Sequence, residues 1–171
     1  DVTGEWHQEE RLERELGQYR EEEATCNGCA GYPKYDQVTG LLSFNRFREE
    51  VDSVIASGKG KSCLLVYTDL ENFKYFNRKY GYAAGDQLLR EFTGYIIDTL
   101  KKRNTAHFTR VVADQFILFF EEKWNNGSIE AIKRINNGFI ERQQRKYPEA
   151  KLRLRTGVYK VEKDCDGASF A

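Results

Sequence analysis

What this chain can fold into is constrained most by the run Cys63-Leu64-Leu65-Val66-Tyr67, which ends just before Asp69 and a long polar stretch. Consecutive apolar residues of this kind suit a strand buried on both faces. Helical and extended patterns alternate around it. Ser43 is placed to cap a helix with Phe47, Val51, Val54 and Ile55 on one face, ended by Ser57-Gly58-Lys59-Gly60. A helix from about Ala84 to Lys102 carries Leu88, Leu89, Phe92, Ile96 and Leu100 along one stripe, with Lys101, Lys102 and Arg103 at its negative end. Phe108 to Val112 and Phe116 to Phe120, separated by Ala113-Asp114-Gln115, predict a hairpin. Ser128 then caps a helix with Ile129, Ile132, Ile135 and Phe139 inward, and Leu152 to Tyr159 alternates as a last strand. The order helix, strand, helix, strand, strand, helix, strand contains a β-α-β-β-α-β core, the ferredoxin-like arrangement of an α+β domain. There the strand ending at Asp69 lies beside one strand of the hairpin that carries Asp114, so two carboxylates from separate segments meet at one rim.

The 171 residues allow one well-packed domain plus an appendage. Lys+Arg 27 balances Asp+Glu 27, and no basic stripe interleaved with aromatics appears, so nucleic acid is not an expected ligand. The longest apolar run, Phe116 to Phe120, falls far short of a bilayer span and the N-terminus lacks a signal-peptide pattern. A soluble, cytoplasmic domain is expected, whether or not the full-length protein is membrane-anchored. Four cysteines with only Cys26 and Cys29 close together do not make a disulfide scaffold and fit a reducing compartment. The chain contains no Met, at its first position or elsewhere, which leads to the expectation of a fragment.

Residues 1–34 divide from residues 35–171 by composition. From Glu5 to Ala24 the chain is strongly charged, with Trp6 and a narrow seam of Leu12, Leu16 and Tyr19. Such a helix is either a solvated extension or the end of a coiled coil that pairs two subunits. Cys26 to Pro33 breaks it with Gly and Pro and reads as a linker. The Cys26/Cys29 spacing is that of half a zinc site or a thiol redox motif, but no second pair or His cluster completes it, which favours two thiols in a loop.

The chemistry concentrates after the apolar run. Asp69 emerges where the strand meets solvent, a common place for a metal-binding carboxylate. Asn77 and Asp86 then offer the amide and carboxylate that a guanine edge requires. The plainer reading is a strand, a polar loop and a helix with Asp86 as an N-terminal charge; the joint spacing favours a nucleotide site.

These residues resemble the GGDEF domain family, the diguanylate cyclases and their non-catalytic relatives. Asp36-Gln37-Val38-Thr39-Gly40-Leu41 is similar to the family's D-x-L-T-G-L motif. Asp69-Leu70-Glu71-Asn72-Phe73-Lys74, Asn77, Tyr80-Gly81 and Gly85-Asp86-Gln87-Leu88-Leu89 resemble D-x-D-x-F-K-x-x-N-D-x-x-G-H-x-x-G-D-x-x-L. Arg110-Val111-Val112-Ala113-Asp114-Gln115-Phe116 falls where R-Y-G-G-D-E-F belongs. The resemblance covers about Asp36 to Val161 and implies roles position by position. Asp69, the carbonyl of Leu70 and Asp114 would be metal ligands, so that two Mg²⁺ ions bridge the triphosphate of GTP and activate the attacking 3′-hydroxyl. Asp114 and Gln115 would stand at the catalytic turn. Asn77 and Asp86 would read guanine, while Phe73 and Lys74 would lie along the phosphate loop. Active members join two GTP across a homodimer into cyclic di-GMP, and members commonly sit beside a sensor or a phosphodiesterase EAL domain.

The signature departs from the family pattern at the turn itself. Val112 and Ala113 replace two glycines, which permit positive φ and close approach of a ligand. Gln115 replaces an acid, so metal binding is expected to weaken. Glu71, Arg78 and Tyr82 replace an Asp, an acid and a His. The family's product-inhibition motif R-x-x-D falls on Arg103-Asn104-Thr105-Ala106, which keeps the Arg and lacks the Asp, so feedback binding is expected to be lost. The family's closing helix, with its A-D-x-A-L-Y-x-A-K pattern, does not appear before Ala171, and a truncated domain is expected. The resemblance therefore points to a degenerate GGDEF domain, GTP-binding or structural, with little or no cyclase activity. An active Mg²⁺-dependent cyclase and a nucleotide-independent dimerisation scaffold are the alternatives.

Overall fold

The computed structural model describes residues 33–58, 63–101, 106–121 and 126–161. The expected helix from Glu5 to Ala24, the Cys26/Cys29 pair, Arg103 and the chain beyond residue 161 lie outside the described residues. In chain order the elements are α1 (Phe44–Ala56), β1 (Cys63–Glu71), α2 (Phe73–Tyr80), α3 (Tyr82–Leu100), β2 (Ala106–Val112), β3 (Gln115–Phe120), α4 (Asn126–Lys146) and β4 (Arg153–Val161).

The apolar run becomes β1 and takes a central place, with the four strands ordered β2-β3-β1-β4. All three pairings are antiparallel. This is the split arrangement of a ferredoxin-like α+β domain, as the order of patterns predicts. Alternation along β1 sends Leu64, Val66 and Leu70 into the main core with Phe92 and Ile96 of α3 and Phe139 of α4. The other face of the sheet is covered at the start of β1, where Phe47 and Val51 of α1 pack with Cys63 and Phe119. Phe92 is the hub between layers, with ring centroids 4.9 Å from Phe116 and 5.0 Å from Phe139 in edge-on contacts.

The edge strand β2 is not left bare. Leu42 forms a bridge with Thr109, whose hydroxyl donates to the Leu42 carbonyl at 2.8 Å. That contact covers the edge at Thr109.

The structure corrects the predicted order in one place. Between β1 and α3 stands a separate short helix, α2, where the sequence reading has polar chain. Phe73, Phe76 and Tyr80 give it an inward stripe, and Phe76, Tyr80 and Tyr147 form a ring cluster with centroids 4.8–4.9 Å apart. Gly81, at φ +90, breaks the chain so that α3 starts afresh at Tyr82. Smaller corrections concern caps. Ser43 occupies the N-cap of α1 without a side-chain capping bond, and its hydroxyl is buried with no partner among the described residues. Ser128 lies inside the first turn of α4, which begins at Asn126.

Candidate functional site

Asp69 is carried by the last part of β1, paired across to Gln115 of β3 on one side and Arg155 of β4 on the other. It is 6% exposed. The Leu70 N–H donates to the Asp114 carbonyl at 3.4 Å, which draws the β2–β3 turn against the end of β1. The two predicted carboxylate segments therefore do meet at one rim. Burial pushes the Asp114 carboxyl above its ordinary range; its own backbone N–H works against this, and the negative charge of Asp69 adds to the rise. Tyr67, two residues before Asp69, is raised by burial and then by Asp69 and Asp114, with Arg155 opposing.

Arg155 is the residue that sequence reasoning passed over. Its Nε donates to Asp69 Oδ1 at 3.2 Å and its Nη2 to Oδ2 at 2.6 Å, a fork on both carboxylate oxygens. The alternating pattern that predicts β4 carries no information on which residue of β1 stands opposite each of its own.

The turn that bears Asp114 is held from beneath. Arg110 donates through Nε to the Ala113 carbonyl at 2.6 Å and through Nη1 to Asp36 at 3.0 Å. Asp36 in turn accepts from the Thr39 N–H at 2.8 Å and the Thr39 hydroxyl at 2.6 Å. The Asp36–Thr39 motif and the Arg110 that precedes the signature thus form one clamp on the hairpin tip. Ala113 sits at φ +49, where an L-residue other than glycine carries a steric cost. Val112 beside it is 60% exposed, an apolar side chain standing at the site rather than in the core.

The predicted base-reading pair lies on two packed helices. Asn77 is in the last turns of α2 and Asp86 near the start of α3, right after Gly85. A Cβ built on Gly85 would come within 1.7 Å of Asn77 Oδ1, so the space that Gly85 leaves is filled by the Asn77 amide. That oxygen is buried with no hydrogen-bond partner among the described residues. Lys74 is exposed, whereas Phe73 belongs to the core at 9% exposure. Asn72, also unmarked by the sequence, turns the chain from β1 into α2 at φ 68 and donates its side-chain amide to the Lys151 carbonyl at 2.7 Å. Among the described residues, no group of three or more His, Cys, Asp or Glu side chains is placed to share a metal ion. An apolar groove of about 440 Å³ lined by Leu64, Tyr95, Leu100 and Ile132 opens at the opposite end of β1 from Asp69.

The family profile described as "Diguanylate cyclase, GGDEF domain" matches residues 33–166. Diguanylate cyclase DgcS of Shewanella oneidensis is 32% identical over 89 residues, covering 51% of this chain and 29% of DgcS. Cyclic di-GMP phosphodiesterase PdeR of Escherichia coli is 28% identical over 130 residues, covering 76% of this chain and 18% of PdeR. The chain therefore spans only a minor part of either curated relative. Among solved structures, the GGDEF domain of FimX from Pseudomonas aeruginosa aligns with a TM-score of 0.64 at 19% identity, over 80% of this chain and 85% of that one. The GGDEF domain of DgcB from Caulobacter crescentus, solved in complex with c-di-GMP, aligns with a TM-score of 0.62 at 18% identity, over 80% and 82%. These likenesses carry the fold, and the profile carries the family. No described helix is long and apolar enough to cross a membrane. From the matched profile and the shared split sheet it follows that the chain belongs to the GGDEF domain family, the domain of cyclic di-GMP signalling proteins.

Proposed function

We propose that this domain is a degenerate GGDEF module that binds guanine nucleotide at Asn77 and Asp86 and has little or no cyclase activity. The observation that carries the reading is the contrast between the two halves of the site. On the helical side, Gly85 leaves room for the Asn77 amide, whose oxygen has no hydrogen-bond partner among the described residues. On the sheet side, Val112 projects where two glycines would leave open space, and Ala113 holds a strained φ of +49. Close positioning of the reacting phosphate is what such a turn contributes to catalysis, and small displacements there cost large factors in rate.

The donors at the rim are all oxygens, the kind that Mg²⁺ prefers. Asp69, Asp114 and the Leu70 carbonyl would hold one ion only with Arg155 displaced from Asp69, and such an ion would neutralise triphosphate charge. With Asp69 forked by Arg155 and Asp114 already accepting from backbone N–H groups, the set does not suit two. Gln115, paired across from Asp69, adds an amide and no charge. A GTP-responsive role beside a sensor or EAL domain, in a homodimer, belongs to the same proposal. The survival of both Asp69 and Asp114 at one rim favours a second reading, an active cyclase.

Thermal melting with GTP and Mg²⁺, run alongside assay of cyclic di-GMP formation, separates the two. Stabilisation by GTP without product, abolished in Asn77→Ala, is the expected result. Product that disappears in Asp69→Ala would establish the cyclase instead.

A further inference from the structure

Arg155 makes one of the two shortest polar contacts at the rim, 2.6 Å to Asp69, matched by Arg110 to the Ala113 carbonyl. It is the direct cross-strand partner of Asp69 in the β1–β4 register. The Asp69 side chain is 8% exposed and that of Arg155 67%, so the guanidinium lies over the carboxylate on its solvent side. The two donor contacts, at 3.2 and 2.6 Å, engage both carboxylate oxygens. Glu71 Oε1 stands 3.8 Å from Nη1 and adds a second, longer ion pair to the same head group. A hard divalent cation binds a carboxylate through the same oxygen lone pairs, and it would face a fixed positive charge within contact distance. Guanidinium and metal therefore compete for one place. The guanidinium also carries five N–H donors, and those not aimed at Asp69 remain available on its exposed side.

We propose that Arg155 is the resident cation of this site, occupying on Asp69 the position that a divalent ion would otherwise take. Its consequence, that nucleotide binding depends little on metal, rests on the reading given under Proposed function; the exclusion of metal does not.

The decisive experiment uses Mn²⁺ alone, followed by electron paramagnetic resonance and calorimetry on the whole chain. Arg155→Ala is expected to bind Mn²⁺ at least about tenfold more tightly than wild type, a difference well outside measurement error. The added Asp69→Asn change should abolish that gain. Arg155→Gln, which keeps a donor opposite Asp69 without the charge, serves if the Ala variant does not fold, with the same expectation. Equal Mn²⁺ affinity in wild type and the Arg155 variant overturns the proposal, as does wild-type Mn²⁺ binding that is lost in Asp69→Asn alone. A fluorescent GTP analogue titrated in EDTA and in Mg²⁺ tests the consequence: similar affinities in wild type, and a Mg²⁺ requirement in Arg155→Ala. Absence of nucleotide binding in every buffer would sink the guanine reading, while the Mn²⁺ comparison still decides the role of Arg155.

Discussion

Gly85 and Asn77 show how much one missing methyl group determines. Adding a Cβ at Gly85 drives into the Asn77 amide oxygen, the movable end of a side chain, so the backbone survives and the amide is displaced. Gly85→Ala is expected to cost about 1–3 kcal/mol in overpacking, partly offset by the better helix propensity of Ala. Melting curves with and without GTP check this: modest loss of stability, and complete loss of any shift with GTP. Asp114 carries a second test. Its carboxyl is raised by burial first and by Asp69 further, so the folded state holds a proton over a pH range in which the unfolded chain has released it. Stability therefore falls as pH climbs from the ordinary carboxylate pKa, about 4, through the raised folded value. Asp114→Asn removes that fall and is expected to melt higher than wild type at pH 7, with the gap closing in acid. A wild-type curve that rises over the same window, relative to Asp114→Asn, would contradict the assignment.

At the scale of elements, the β2–β3 hairpin tip is positioned by a clamp that begins outside the sheet. Asp36 accepts from Thr39 and Arg110, and Arg110 reaches the Ala113 carbonyl. Removing the carboxylate leaves a half-buried guanidinium with its anion gone and frees the strained turn at Ala113. Asp36→Ala is expected to cost about 1.5–3 kcal/mol, the range for hydrogen bonds to charged groups. Hydrogen exchange should then rise at Val112 to Gln115 more than in α3. Uniform loss of protection would show instead that the clamp acts on the whole fold. The element that sequence reading missed, α2, has the same lesson in reverse. Its Phe73, Phe76 and Tyr80 have helical spacing, but the polar residues between them carry the nucleotide motif and conceal the stripe.

For the whole molecule, Phe92 is a ring that, among the described residues, touches both the sheet and a second helix. Phe92 is 1% exposed and touches Phe108 and Phe116 of the sheet and Phe139 of α4. Phe92→Ala is expected to cost about 3–5 kcal/mol, since neighbours on two layers cannot both collapse into the cavity. Chemical denaturation checks the value, with an unchanged slope indicating that only stability moved. A cost near that of a surface substitution would mean that the layers are joined elsewhere.

The apolar run at Cys63 to Tyr67, the stripe in α3, the alternating β4 pattern and the order of helices and strands are local periodicities, and periodicity follows from which face of an element is buried. That is why the split sheet, and the meeting of the Asp69 and Asp114 segments, were legible from residue order alone. Tertiary structure alone decided what stands opposite what. The Asp69–Arg155 fork depends on strand register, the Asp36–Arg110 clamp on a chain crossing between distant segments, and the fit of Asn77 to Gly85 on how closely two helices approach. None of these distances is a local property of the chain, because each is set by packing among residues far apart in sequence.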